Sequence, residues 1–166
     1  MLAAASSKRR RRLQQGFGPE YDRTLSEADS RRQAETALRE RVRRHDELEL
    51  RPLDREERHH YLRLWDGVQA RFVDQPVEAI GDTDNLIQQV MRDRGYPVDD
   101  FDQRAADLSV EHAEVVANYR AGNAVAARSV TGESTTEELA RAVVHYRALF
   151  EELVGVGDQP LEARDR

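Results

Sequence analysis

At residues 94–112 the sequence reads RGYPVDDFDQRAADLSVEH, and this stretch sets helix boundaries in the middle of the chain. Gly95 is a typical residue at the end of a helix, because glycine adopts the left-handed conformation without strain. Pro97 favours a turn, and one of the two aspartates that follow is predicted to cap a short helix. Ser109 is predicted to cap a longer one. The stretch therefore predicts helix, turn, short helix and helix in succession.

Amphipathic helices are predicted on both sides of this stretch. The clearest follows the capping pattern of Asp54 and Glu57, and its apolar residues have a helical period: Tyr61, Leu64, Trp65, Val68 and Phe72. The last predicted helix ends at Gly155. No segment of useful length alternates apolar and polar residues as a strand does. We therefore predict an all-α fold in which residues 52–155 form a bundle of about four helices.

Residues 19–51 are predicted to form a long charged stalk helix in front of the bundle. A short helix is expected to start at Pro19, and Ser26 or Ser30 could cap the longer helix that follows. Its apolar stripe is narrow and rich in alanine, so we expect a solvated helix that lies along the body or projects from it. Residues 156–166 are predicted to be a disordered polar tail.

The N-terminal residues carry the strongest charge feature. Residues 1–15 contain Lys8, Arg9, Arg10, Arg11 and Arg12 and no acid, which gives +5. The whole chain has a net charge of -6, so the remaining residues carry -6 - 5 = -11. We predict that residues 1–18 form a flexible basic segment, helical only when bound, whose five cations bind an anionic surface.

The sequence contains no recognisable catalytic or metal-binding pattern. The chain has no cysteine, and it lacks glycine-rich phosphate loops and the HExxH zinc motif. His59 and His60 are adjacent and cannot act as a metal-binding pair at helical spacing. Asp82 starts a calcium-loop-like run, but the run continues with Leu86 and lacks the glycine that such a loop needs. We predict no enzyme, no cofactor and no metal.

The order of residues at the N-terminus favours a membrane interpretation. Met1 to Ala5 supply five apolar residues, whereas a membrane span needs roughly 20. Arginines directly after apolar residues are typical of the cytoplasmic flank of a membrane helix. One interpretation is therefore that Met1 is an internal or trimmed start.

Several stretches together resemble a group of small actinobacterial proteins of unknown function. The resemblance extends from Arg9 to Leu153 and is carried by residues 9–21, 45–53, 94–97, 103–112 and 145–153. It implies one membrane helix directly before the arginine run and a helical body on the cytoplasmic side. This sequence departs from that pattern in having only five apolar residues there. The resemblance implies no activity, cofactor or catalytic residue.

The sequence thus predicts a non-enzymatic scaffold or interaction module, cytoplasmic and peripheral at the inner face of the plasma membrane. Its partners are predicted to be anionic lipid headgroups or another protein. One alternative is a nucleic-acid-binding accessory protein that uses the arginine run, although the acidic body and the missing recognition motif count against it. A second is an enzyme with an unrecognised carboxylate or histidine site, and a third is a homo-oligomer formed through the stalk helix.

Overall fold

The computed structural model describes residues 2–156, and these residues are helical with short connections. They contain eight helices and no strand, which confirms the all-α class. The helices are α1 (Leu2–Phe17), α2 (Pro19–Glu27), α3 (Arg31–Asp46), α4 (Arg55–Phe72), α5 (Pro76–Arg94), α6 (Phe101–Leu108), α7 (Ala113–Ser129) and α8 (Thr136–Val154). Apart from Val156, the tail predicted at residues 156–166 lies outside the described residues.

The described residues group into two compact units. Unit 1 combines residues up to 49 with residues 99–117, and unit 2 combines residues 50–98 with those from 118 onward. The predicted bundle over residues 52–155 is therefore not confirmed in that form, because residues 99–117 group with the N-terminal helices. The apolar stripe of a helix can be predicted from the sequence, but it does not show which other helices pack against that stripe.

Unit 1 is built on a small aromatic core. Phe17, Tyr21 and Leu38 are almost fully buried, and half-buried Leu13 is among the apolar residues packed against them. Ser30 caps α3 by accepting a hydrogen bond from the backbone N–H of Gln33. The core thus joins residues from α1, α2 and α3.

Two predictions for the N-terminal residues need correction. The residues predicted to be a flexible segment form α1, which is rich in the helix-favouring residues alanine, arginine and glutamine. The short helix expected at Pro19 is α2, and the longer charged helix expected after it is α3, capped by Ser30. Their prediction as a solvated stalk is not confirmed. Ala34 and Leu38 of α3 are fully buried, because α3 packs against α1, α2 and α6.

The role predicted for Ser109 was also wrong. Ser109 ends α6, and its hydroxyl donates to the carbonyl of Ala106 at 2.6 Å. The next helix begins later, where Val116 N–H bonds to the carbonyl of His112. The serine hydroxyl is thus bonded within its own turn and does not cap α7.

Unit 2 follows the sequence prediction more closely. Asp54 and Glu57 form the predicted capping box of α4, and the structure has a second capping box at the start of α8, formed by Thr135 and Glu138. Gly95 ends α5 in the left-handed conformation with φ of 98°. These local signals place the helices whose apolar faces make the core of unit 2.

The capping box of α4 gives a pH-dependent prediction. Hydrogen bonds from Arg51, and then from the Asp54 backbone, lower the pKa of Glu57 to about 2. This value is below the ordinary value of about 4.3, so the unfolded chain takes up the proton first as the pH falls. The stabilisation by Glu57 is thus fully present above about pH 4.3 and is lost as the pH falls towards 2.

Carbon NMR of the side-chain carboxyls should therefore show the carboxyl of Glu57 titrating with a pKa of about 2. Glu57→Gln should also weaken the fall in the free energy of unfolding between neutral and acidic pH. Glu56→Gln, one residue away on the exposed side of the same turn, is the control and should leave that fall unchanged. An ordinary pKa at Glu57 would contradict the prediction.

Candidate functional site: the basic face of α1

Apolar packing holds one side of α1 against the other helices of unit 1. Phe17 is 3% exposed and packs with Tyr21 and Leu38, and Leu13 lies one turn before it. On a helix that turns 100° per residue, Leu13, Phe17 and Arg10 lie within about 60° of one another. This side of α1 therefore faces α2 and α3.

Arg10 belongs to this inward side and is used inside the protein. Its Nε lies 3.3 Å from Oε1 of Glu35, and the hydroxyl of Tyr21 donates to the same oxygen at 3.0 Å. Burial, and then the bond to Glu35, raise the pKa of Tyr21. Glu35 thus joins α1 and α2 to α3. Arg10, one of the five cations predicted to meet an anionic partner, is engaged within unit 1.

The other four predicted cations lie on the outside of α1. Lys8, Arg9, Arg11 and Arg12 are all exposed. Their helical positions span an arc of about 160°, centred on the direction opposite Arg10. Within the described part of the chain, no ion pair or hydrogen bond engages these four side chains. We call this set the outer basic face, and it carries a charge of +4.

The outer basic face contains no large apolar side chain between residues 4 and 16. Its other exposed residues are small or polar: Ala4, Ala5, Gln15 and Gly16. The large apolar residues in the second half of α1 are Leu13 and Phe17. Both pack in the core of unit 1, away from the outer basic face. Between residues 4 and 16 the surface can therefore attract anions, but it presents no large apolar side chain to hydrocarbon.

Unit 1 also contains two ion pairs with buried carboxylates that sequence analysis missed. Arg41 donates to Glu20 at 3.0 Å, and Arg44 donates to Asp107 at 3.0 Å. The side chains of Glu20 and Asp107 are each 1% exposed. A signal was present in the spacing, because Arg41 stands three residues after the buried Leu38 and so falls on the inward side of α3. These pairs connect helices and are not freely available to a ligand.

Both histidines of unit 1 lie near the carboxylate of Glu111. His45 Nε2 is 3.4 Å from Glu111 Oε1, and His112 Nε2 is 3.9 Å from Glu111 Oε2. Nevertheless, no group of three or more histidine, aspartate or glutamate side chains within residues 2–156 is placed to hold a metal ion. The arrangement is therefore one of neighbouring polar groups around Glu111.

No helix of the described chain is both long enough and apolar enough to pass through a lipid bilayer. No family model, curated protein or solved structure matches the sequence or its fold. The resemblance to small actinobacterial proteins therefore stays a prediction, and function is inferred from the side chains alone.

Proposed function

We propose that this protein is a non-enzymatic scaffold or interaction module that adsorbs to anionic lipid headgroups at the cytoplasmic face of a membrane. The proposal rests on one observation: the cations of α1 lie on two different sides of the helix. Arg10 points inward to Glu35, whereas the outer basic face is exposed and has no internal partner within the described residues. Guanidinium groups bind phosphate oxygens with paired hydrogen bonds, so phospholipid headgroups suit this face.

The contact would be electrostatic and would leave α1 docked on the body. Insertion of α1 would have to remove Phe17 from the core of unit 1, while the outer basic face supplies no apolar group for the bilayer. Each basic residue near an anionic surface contributes about 1 kcal/mol. Four residues then give at most about 4 kcal/mol, which corresponds to a dissociation constant near the millimolar range. The face therefore assists a further attachment, such as a membrane-bound partner.

Vesicle co-sedimentation at low salt tests the proposal. We expect binding to vesicles with anionic headgroups, little binding to neutral vesicles, and release at high salt because surface charges are then screened. A variant with all four residues of the outer basic face changed to glutamine should lose this binding. Binding that survives in the variant, or that persists at high salt, would overturn the proposal.

The matched control removes the same charge from other exposed positions. Arg31, Arg32, Arg39 and Arg55 are all exposed and lie outside α1. Changing these four to glutamine should leave most of the vesicle binding intact. If the control loses as much binding as the α1 variant, net charge alone is responsible and the proposed face is wrong.

Short duplex DNA serves as the competitor in the same experiment. The chain outside residues 1–15 carries -11, which repels a polyanion, so we expect DNA to displace little protein. Four phosphate contacts would give a salt slope of about -3.6. Efficient displacement with that slope would favour nucleic-acid binding and overturn the membrane proposal.

A further inference from the structure

Unit 2 contains a concave site of its own. It is a cleft of about 260 Å³ between the second half of α7 and the first turns of α8. Apolar side chains of Ala121, Val125 and Ala142 line it together with three titratable residues, Glu138, Arg141 and His145. This combination of a small apolar lining and few polar groups is typical of ligand sites.

The cleft depends on the small residues of α7. A Cβ atom at Gly122 would lie 3.2 Å from Cε2 of Tyr146 and 3.5 Å from the carbonyl oxygen of Ala142. Glycine at this position therefore allows α7 and α8 to approach closely. Next to Gly122, Ala121 lines the cleft, and its short side chain does not fill it.

The three titratable residues of the cleft differ in how they are engaged. Glu138 accepts hydrogen bonds from the Thr135 backbone N–H at 2.8 Å and from Arg128 at 3.0 Å. No hydrogen bond or ion pair within the described residues engages Arg141 or His145. They stand four residues apart on α8, so their side chains lie on the same side of the helix. The charge of Arg141 acts on Glu138 through space and helps to lower the pKa of that carboxyl. The cleft therefore has a carboxylate that is already hydrogen-bonded, and a guanidinium and an imidazole whose donors have no hydrogen-bond partner among the described residues.

We propose that this cleft binds a small organic anion, namely a carboxylate carried on a short apolar body. The guanidinium of Arg141 would receive the carboxylate, since its fork of donors matches two carboxylate oxygens. His145 would supply a second polar contact, and Ala121, Val125 and Ala142 would cover the apolar body. The volume lies just below the roughly 300–1,000 Å³ of typical ligand pockets, which limits the body to the size of a phenyl ring or a short alkyl chain.

NMR titration of the full chain with benzoate tests this inference. We expect saturable shifts of backbone amides around the cleft. Two related probes separate the contributions: benzamide keeps the ring without the charge, and acetate keeps the charge without the ring. Each should bind at least about tenfold more weakly than benzoate. Absence of saturable shifts with benzoate at millimolar concentration, or equal binding of benzamide, would overturn the proposal.

Two variants and one control locate the site. Arg141→Gln removes the proposed anion partner, and Ala121→Phe fills the cleft, so each should weaken benzoate binding at least about tenfold. Arg147→Gln is the control, because Arg147 lies on the same helix but pairs with Glu151 away from the cleft. Amide spectra remote from α7 and α8 verify that each variant is folded. Equal weakening by Arg147→Gln would show a non-specific charge effect and overturn the assignment.

Discussion

Trp65→Ala is expected to lower the free energy of unfolding by about 3–5 kcal/mol. Trp65 is 4% exposed, and its ring stacks on Phe150 with centroids 4.6 Å apart and planes inclined by 21°. The indole therefore joins α4 to α8, and its removal leaves a large cavity in the core of unit 2. Since small domains have total stabilities of roughly 5–15 kcal/mol, the loss would be a large share of the total. Urea denaturation followed by far-ultraviolet circular dichroism measures it.

The control for this prediction is an apolar residue on the outside of α8. Val144 is 66% exposed, so Val144→Ala should change the free energy of unfolding by no more than about 0.5 kcal/mol. Trp65→Phe should cost less than Trp65→Ala, because it keeps an aromatic ring beside Phe150 and removes an indole N–H that has no partner within the described residues. A loss under about 1 kcal/mol for Trp65→Ala would be the cost of an ordinary substitution and would contradict the central position of Trp65.

Arg44→Met is expected to destabilise the protein by about 3 kcal/mol, the low end of the range for breaking a buried ion pair. Asp107 Oδ1 accepts hydrogen bonds from Arg44 Nε at 3.0 Å and from Gln103 Nε2 at 2.9 Å. The carboxylate of Asp107 is buried, whereas the arginine is 40% exposed. The substitution therefore leaves a desolvated negative charge without its cation. Chemical denaturation of the wild type and the variant at neutral pH measures the difference.

The neighbouring arginine supplies a matched control. Arg43 is exposed and pairs with Glu40 and Glu47 on the outer side of α3. Arg43→Met should cost much less stability than Arg44→Met, since exposed ion pairs contribute little. Replacing Arg44 and Asp107 together by Met and Leu should recover part of the lost stability, because no buried charge then remains. Equal losses for Arg43→Met and Arg44→Met would contradict the structural difference between the two positions.

The candidate site on α1 was predicted only in part. The run of cations from Lys8 to Arg12 is evident in the sequence because its charge is contiguous. Which of these cations points outward depends on the contact of Arg10 with Glu35, which lies 25 residues away. The helix itself was missed, since Leu13 and Phe17 are too few to show a period. The cleft beside Arg141 was not predicted at all, because its lining comes from two helices.

The sequence by itself determined the all-α class and many of the helix ends. Capping boxes, an N-terminal proline and a glycine C-cap each involve only three or four neighbouring residues. The helix ends that they determine can therefore be predicted from a short stretch of sequence. Tertiary structure alone decided that α3 is packed against other helices and that residues 99–117 group with the N-terminal helices. The pair of Arg44 and Asp107 spans 63 residues of sequence. Helical spacing can place a charge on the inward side of its own helix, but the local sequence does not show which distant residue will pair with it.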